Sequence, residues 1–319
     1  MVKVSAPGKL LLCGDHAVVH GNPCIVTAVD HRAFVTAKST GGNAVVVKAP
    51  DVGITEFSYP LPFNGLSVPK GAAFVIQAVK NFYGKYGLSD GLVIETASEF
   101  PSSFGLGSSS AVTVATVKAL SDIFSIKMEP REIFDLSYKT VLDVQGVGSG
   151  FDVASAAYGG TLFYFTGGKI IEPLTVKKIP LIVGYTGQKA DTATIVRKVD
   201  EKLKAYPDHV LSNFNLIGKI VLDAKDTIER KDWKKLGDIF NFDHGLLSGL
   251  GVSCAELEKL VFAARNAGAY GAKLSGAGGG DCMIAVSEDT ESIVTAIDSA
   301  GGKVIPVRTG VEGVRIETE

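Results

Sequence analysis

The sequence predicts an α+β protein built in two parts, not a doubly wound parallel sheet. Three observations lead there. Residues 2–60 are patterned almost wholly as strands, and helical periodicity begins only afterwards, so the two element types are segregated along the chain. Residues 180–306 read as strand, helices and then strand, strand, helix, strand, the order of a split βαβ unit. Between these regions Gly167-Gly168-Lys169 and Pro173 interrupt the periodicity, which places the expected division at 1–170 and 171–319.

Taken in order, residues 2–13 alternate and then run apolar, but Pro7-Gly8 breaks them into a strand, a kink and a second strand, with Lys9 just after the kink. Residues 23–38 and 43–60 read as strands with hairpin turns such as Gly41-Gly42-Asn43, followed by a helix at 71–86 and a strand at 92–96. Helices are expected at 109–124 and at 130–144, where Pro130 suits a first turn. The stretch GVGSGFD at 146–152 then leads into a short helix, 153–158, which Gly159-Gly160 stops ahead of a strand at 161–165. The second part has a strand at 180–185, a polar loop at 186–194 and helices at 193–205, 210–230, 233–249 and 253–267. Strands at 272–274 and 282–287 flank a loop at 275–281, and a helix at 292–300 and a strand at 303–306 follow. There is no internal repeat and no low-complexity tract.

With 319 residues, 46% hydrophobic and 21% charged, the chain can bury two cores without staples. A net charge of -2 offers no basic field, which argues against nucleic acid and requires any anionic ligand to be met locally. Cys13, Cys24, Cys254 and Cys282 are scattered without metal-ligand spacing, the N-terminal MVKVSAPGK has no apolar run, and the longest uncharged spans are broken by Gly and Ser. A soluble protein of a reducing cytoplasm is expected, without a membrane partner and with a homodimer as one assembly open to it.

The most unusual stretch is PSSFGLGSSSAVTVATVKAL at 101–120. Gly105 and Gly107 lack a Cβ, so the backbone can take positive φ and admit a ligand closely, and Ser108, Ser109 and Ser110 fall at an expected helix N-terminus. Unpaired N–H groups and the positive end of the helix dipole make that end an anion site. A serine-capped tight loop would leave the same local pattern. No P-loop lysine, dinucleotide fingerprint or nucleophile elbow is present. Two further glycine-rich loops, 146–150 and 276–280, together with Lys9 and Asp152, supply the parts phosphoryl transfer uses: backbone donors, a hydroxyl for Mg²⁺, a lysine and a carboxylate. Alone, Lys9 could be an exposed strand-end lysine and Asp152 a helix cap.

Three segments in order, APGKLLLCGDHAVVHG at 6–21, PSSFGLGSSSA at 101–111 and KLSGAGGGDC at 273–282, resemble the three motifs of the GHMP kinases, and the resemblance covers nearly the whole chain. It implies an N-terminal domain like ribosomal protein S5 domain 2, a ferredoxin-like C-terminal domain, and ATP with Mg²⁺ as cofactors. By position, Lys9 is similar to the family lysine near the transferring phosphoryl group and Asp152 to its catalytic aspartate. Pro101, Gly105, Leu106, Gly107, Ser108, Ser109 and Ser110 match the phosphate loop, with Ser109 at the metal-ligand serine. Where mevalonate kinases carry a metal-binding glutamate, eleven residues before the aspartate, this chain has Val141; Asp143 is the nearest acid and the candidate replacement.

The resemblance divides over the acceptor. His16 within GDHAVVHG resembles the mevalonate kinases. The segments GSGFDVASAAYGG at 148–160, GYTGQKADT at 184–192 and GAGGGDC at 276–282, and the missing glutamate, resemble the phosphomevalonate kinases. On that balance the expected reaction is ATP-dependent phosphorylation of (R)-5-phosphomevalonate to 5-diphosphomevalonate, with mevalonate as the alternative acceptor and a non-catalytic binding module as the second alternative. Expected acceptor-side residues are His16, Ser149, Gly150, Lys189, Thr192, Arg197, Gly276, Ala277, Gly278 and Asp281, with Arg32 as a further cation.

Overall fold

A computed structural model describes residues 1–101 and 104–318. The first sheet contains β1 (Val2–Cys13), β2 (Pro23–Ser39), β3 (Ala44–Ala49), β4 (Ile54–Pro60), β5 (Leu92–Ser98), β6 (Thr161–Phe165), β7 (Ile170–Pro173) and β12 (Arg315–Ile316). Its main path runs β12-β1-β2-β5-β3-β4, with β6 on β2 and β7 on β6. On one face lie α1 (Ala73–Tyr86), α2 (Ser108–Ile123), α3 (Pro130–Gln145) and α4 (Phe151–Tyr158). The helices form where expected because their punctuation is local: Pro130 sits in the first turn of α3 beside a capping box from Glu129 and Glu132, and left-handed Gly146 closes it.

The second sheet, β11-β8-β10-β9, is antiparallel throughout and consists of β8 (Leu181–Tyr185), β9 (Gly271–Ser275), β10 (Cys282–Val286) and β11 (Lys303–Ile305). The spatial order fourth, first, third, second is that of a split βαβ unit. Four helices, α5 (Thr192–Ala205), α6 (Pro207–Glu229), α7 (Trp233–Gly249) and α8 (Ala255–Asn266), fill the first crossover, and α9 (Glu291–Ser299) fills the second. The outcome is a fold of mixed helix and sheet content built on two sheets, as expected from the sequence. Across the expected division, β7 continues the first sheet as far as Pro173, and the C-terminal β12 returns to pair with β1.

Two local expectations are corrected. Gly41-Gly42-Asn43 does not close a hairpin, because β5 lies between β2 and β3, antiparallel to the first and parallel to the second. The glycine turn instead docks on the start of β5, Gly91 N–H donating to Gly42 O at 2.8 Å and Thr40 N–H to Gly91 O at 2.9 Å. A turn signal fixes where the chain reverses, not which strand it then joins.

The second correction concerns Pro7-Gly8, which does not divide β1. It puts a register shift into one continuous strand. The pairing moves from Pro7–Arg32 to Gly8–Val29, which leaves Asp30 and His31 of β2 without partners on β1, and across this irregularity the two faces of β1 exchange. Before it Val4 and Ala6 point to the helix-covered core; after it Leu11 does, while Leu10 and Leu12 join the core shared with the second sheet. Lys9 thereby lies on the helix side of the strand, where the N-termini of α2 and α4 meet.

Candidate active site

Gly8 lets the 104–107 loop lie flat on β1: a Cβ there would stand 3.0 Å from Leu106 O and 3.3 Å from the Phe100 ring. Lys9 N–H donates to Leu106 O at 2.9 Å and Lys9 Nζ to Gly105 O at 2.9 Å, so strand and loop are joined on both sides of one residue. The half-buried Lys9 ammonium also lies 5.5 Å from the centre of the Phe151 ring. Gly105 and Gly107 both adopt left-handed φ, 69° and 78°, and Gly107 caps α2 without a side chain. Ala111 N–H is bonded to Gly107 O at 3.1 Å, and the N–H groups of Ser108, Ser109 and Ser110 precede that first turn bond. Pro101 stands exposed at the loop entrance, its carbonyl accepting from Phe104 N–H; Ser102 and Ser103 of the same motif lie outside the described residues.

Asp152 approaches from the first turn of α4. Its Oδ2 accepts from Ser110 Oγ–H at 2.6 Å and its Oδ1 from Val153 N–H at 3.0 Å, which fixes the carboxylate against the start of α2. A Cβ at Gly107 would lie 3.1 Å from Lys9 Cγ and 3.7 Å from Asp152 Cβ. Lysine, carboxylate and the 105–110 loop therefore meet around one glycine. The 146–150 loop that delivers Asp152 is held by two tyrosines not anticipated from the sequence: Tyr138 Oη–H donates to Gly148 O at 2.8 Å and Tyr164 Oη–H to buried Ser149 O at 2.6 Å. Gly150, φ 88°, packs where a Cβ would be 2.8 Å from both the Tyr138 ring and the Tyr164 hydroxyl.

The third glycine loop reaches the same seam from the second sheet. Gly276, Gly278 and Gly279 all have positive φ, and a Cβ on Gly278 would run into the Val252 carbonyl. His16 Nε2–H donates to Ala277 O at 2.9 Å; burial lowers the imidazole pKa, which keeps the ring neutral for that role. Beside it, fully buried Asp15 pairs with Lys273 Nζ at 2.6 Å and accepts Gly276 N–H at 2.6 Å. Asp243 of α7 completes the cluster 3.4 Å from Lys273. Neither Asp15, Lys273 nor Asp243 was singled out from the sequence. Asp15 and Lys273 lie inside the quoted motifs, but their pairing spans 258 positions and has no local signature.

Asp281 has positive φ, 55°, and bonds to Thr186, Gln188 and Ala190 of the 186–190 loop. Lys189 and Thr192 are exposed on that loop and at the start of α5, and Arg197 donates to Thr194 Oγ1 at 3.2 Å within its own helix. Two expected residues are drawn elsewhere. Arg32 is buried at the C-terminal tail, donating to Ser5 Oγ at 2.6 Å, Glu312 O at 3.0 Å and Gly313 O at 2.7 Å. Asp143 bonds to Lys139 Nζ at 2.5 Å and Asn81 Nδ2 at 2.8 Å, all partners on α1 and α3. Val141 points into the core, 3.8 Å from a Cβ position at Gly148, and residues two apart on a helix face opposite ways, so Asp143 does not reach where a side chain at 141 would. Among the described residues no three His, Cys, Asp or Glu side chains form a metal-holding group.

Comparison with known proteins decides the family. The models for the GHMP kinases N terminal domain and the GHMP kinases C terminal region match residues 73–160 and 224–303, and a mevalonate kinase of Thermococcus sibiricus is 38% identical over 99% of this chain and 98% of its own. The chain belongs to the GHMP kinases. It is an ATP-dependent small-molecule kinase by that membership. Among solved structures, L. major mevalonate kinase in complex with R-mevalonate superposes with a TM-score of 0.78 at 25% identity, covering 98% of this chain and 96% of that one. A Streptococcus pneumoniae phosphomevalonate kinase bound to phosphomevalonate and AMPPNP superposes with a TM-score of 0.81 at 19% identity, covering 97% and 100%, and shares the fold. Relatives at 35–38% identity are named mevalonate kinase, which favours the alternative acceptor over the phosphorylated one expected from the sequence. No helix among the described residues is long and apolar enough to cross a membrane.

Proposed function

We propose that this GHMP kinase transfers the γ-phosphoryl group of ATP to mevalonate, giving 5-phosphomevalonate. The observation that carries the chemistry is the meeting of Lys9, Asp152 and the α2 N-terminus around Gly107. Asp152, oriented by Ser110 and by the Val153 N–H, takes the proton from the acceptor hydroxyl. Lys9 offsets charge on the phosphoryl group in transit, and the N–H groups of 105–110 hold the β and γ phosphates. Ser109 and phosphate oxygens would hold Mg²⁺, with water completing its shell, as suits an ion that keeps several of its waters. Bound there, the ion would neutralise phosphate charge. His16, Ser149, Gly150, Gly276, Ala277 and Gly278 shape the acceptor side, with Lys189, Thr192 and Arg197 at its rim.

The names of the relatives support the unphosphorylated acceptor, and so do the cations. A phosphate on the acceptor calls for converging cations, whereas Arg32 bonds to the tail, Arg197 bonds within α5 and His16 is held neutral, which leaves exposed Lys189 alone at the rim. The test is a coupled ADP-release assay with mevalonate and 5-phosphomevalonate side by side. Higher kcat/KM on mevalonate is expected. The reverse result would move the acceptor and leave the kinase intact, while ATP binding without ADP release on either would make the chain a binding module.

A further inference from the structure

Asp281 stands in a left-handed conformation that costs any residue with a Cβ, yet the chain keeps an aspartate there within a run of glycines, GAGGGDC. Its bonds explain the choice. The backbone N–H donates to Gln188 O at 2.8 Å, and the carbonyl accepts Thr186 N–H at 2.9 Å and Thr186 Oγ1–H at 3.1 Å. Those three bonds need only the backbone, and glycine would make them with less strain. Side-chain Oδ1 adds what glycine cannot, accepting Ala190 N–H at 2.9 Å, while Oδ2 faces Gly105 of the phosphate loop, 2.7 Å from where a Cβ on Gly105 would stand. One half-buried carboxylate thus pins the far end of the 186–190 loop and rests on the loop that holds ATP.

Building on the mevalonate kinase reading above, we propose that Asp281 is a positioning residue that latches the 186–190 loop to the phosphate loop at Gly105 and so sets the acceptor in line with the phosphoryl donor. It acts through Ala190 and Gly105 and need not touch either substrate. Lys189, within the latched segment, and Thr192, two residues beyond it, are carried with it.

Three variants separate this role from stability alone. Asp281→Gly removes the strain and the latch, Asp281→Ala removes the latch and keeps most of the strain, and Asp281→Asn keeps a carbonyl for Ala190 N–H in a residue that tolerates left-handed φ. Gly and Ala variants are expected to lose about tenfold or more in kcat/KM for mevalonate while KM for ATP moves less than about threefold, and Asn should rescue to within about threefold of wild type. The Gly variant should lose activity even if its Tm equals or exceeds that of the wild type. Amide exchange at Ala190, read without substrate, should be protected in wild type and Asn and fast in Gly and Ala. Wild-type kinetics in Gly and Ala, unchanged exchange at Ala190, or an Asn variant as impaired as Ala would overturn the latch. Protection lost on schedule in a protein that does not phosphorylate mevalonate would uphold the latch and sink the acceptor assignment instead.

Discussion

Single residues in this seam are judged by what each holds in place. In the proposed reaction Asp152 takes the acceptor proton, so Asp152→Asn should lower kcat by about 10²–10⁴-fold while ATP still binds, measured by single-turnover assay alongside calorimetric titration; near-wild-type turnover would remove it from the chemistry. Lys9→Ala should cost about 10²-fold in kcat and less in ATP affinity, because its charge is needed most as the phosphoryl group moves. Asp243 permits a prediction on stability. Its carboxyl, too far from Lys273 for a good hydrogen bond, is pushed by burial up to about 7, against the attraction of Lys273. The unfolded chain releases that proton near pH 4, so between about pH 4 and 7 the folded state holds a proton the unfolded state lacks. Stability contributed by this group is full below that window, falls as pH rises through it and is flat above about 7. Asp243→Asn removes the slope: the wild-type advantage over the variant in urea unfolding should shrink between about pH 5 and 8, by on the order of 1–4 kcal/mol, and a pH-independent difference would refute the assignment.

Whole elements were legible in the sequence where their signals are local. Pro130, Gly146, Gly150 and Gly159-Gly160 punctuate α3 and α4 where they were expected to, and Gly107 with the serines after it opens α2. Strand partners were not legible, since β5 enters between β2 and β3 from about fifty residues away in sequence, and nothing in Gly41-Gly42-Asn43 encodes that. The site divides in the same way. Lys9, Asp152 and the three glycine loops announce themselves, whereas Asp15, Lys273 and Asp243 pair across the fold and look like ordinary surface charges until β9, α7 and the turn after β1 converge. The third glycine loop gives the test at this scale. Gly278 combines φ of 81° with a backbone carbonyl in the space of a Cβ, and backbone cannot yield as a side chain can. Gly278→Ala should destabilise by about 1–3 kcal/mol or more and lower activity, whereas Gly146→Ala, also left-handed but with open space at the Cβ position, should cost only about 1 kcal/mol. Equal losses in thermal melts would mean that backbone conformation alone, not the Val252 carbonyl, governs the loop.

At the scale of the molecule, the seam that holds the site is also a core. Leu10, Leu12, Ile25, Val29 and Phe163 from the first sheet pack in one cluster with Val183 and Ile284 from the second and Phe240 from α7. The chain crosses the seam a second time when its tail returns: β12 pairs with β1, and buried Arg32 hangs on the Glu312 and Gly313 carbonyls. Two bodies joined by a flexible hinge would melt separately, but bodies sharing apolar surface and a buried guanidinium lose both together. Calorimetry should therefore show one transition, with van't Hoff and calorimetric enthalpies in a ratio near one. Removing 307–319 tests the cause. It strips Arg32 of two backbone acceptors and leaves a buried cation under-paired, a loss of about 3–5 kcal/mol that should lower the single transition as a whole. If the truncated protein instead melts in two steps, with the later step unchanged from wild type, the tail is what couples the lobes and the shared apolar cluster is not enough.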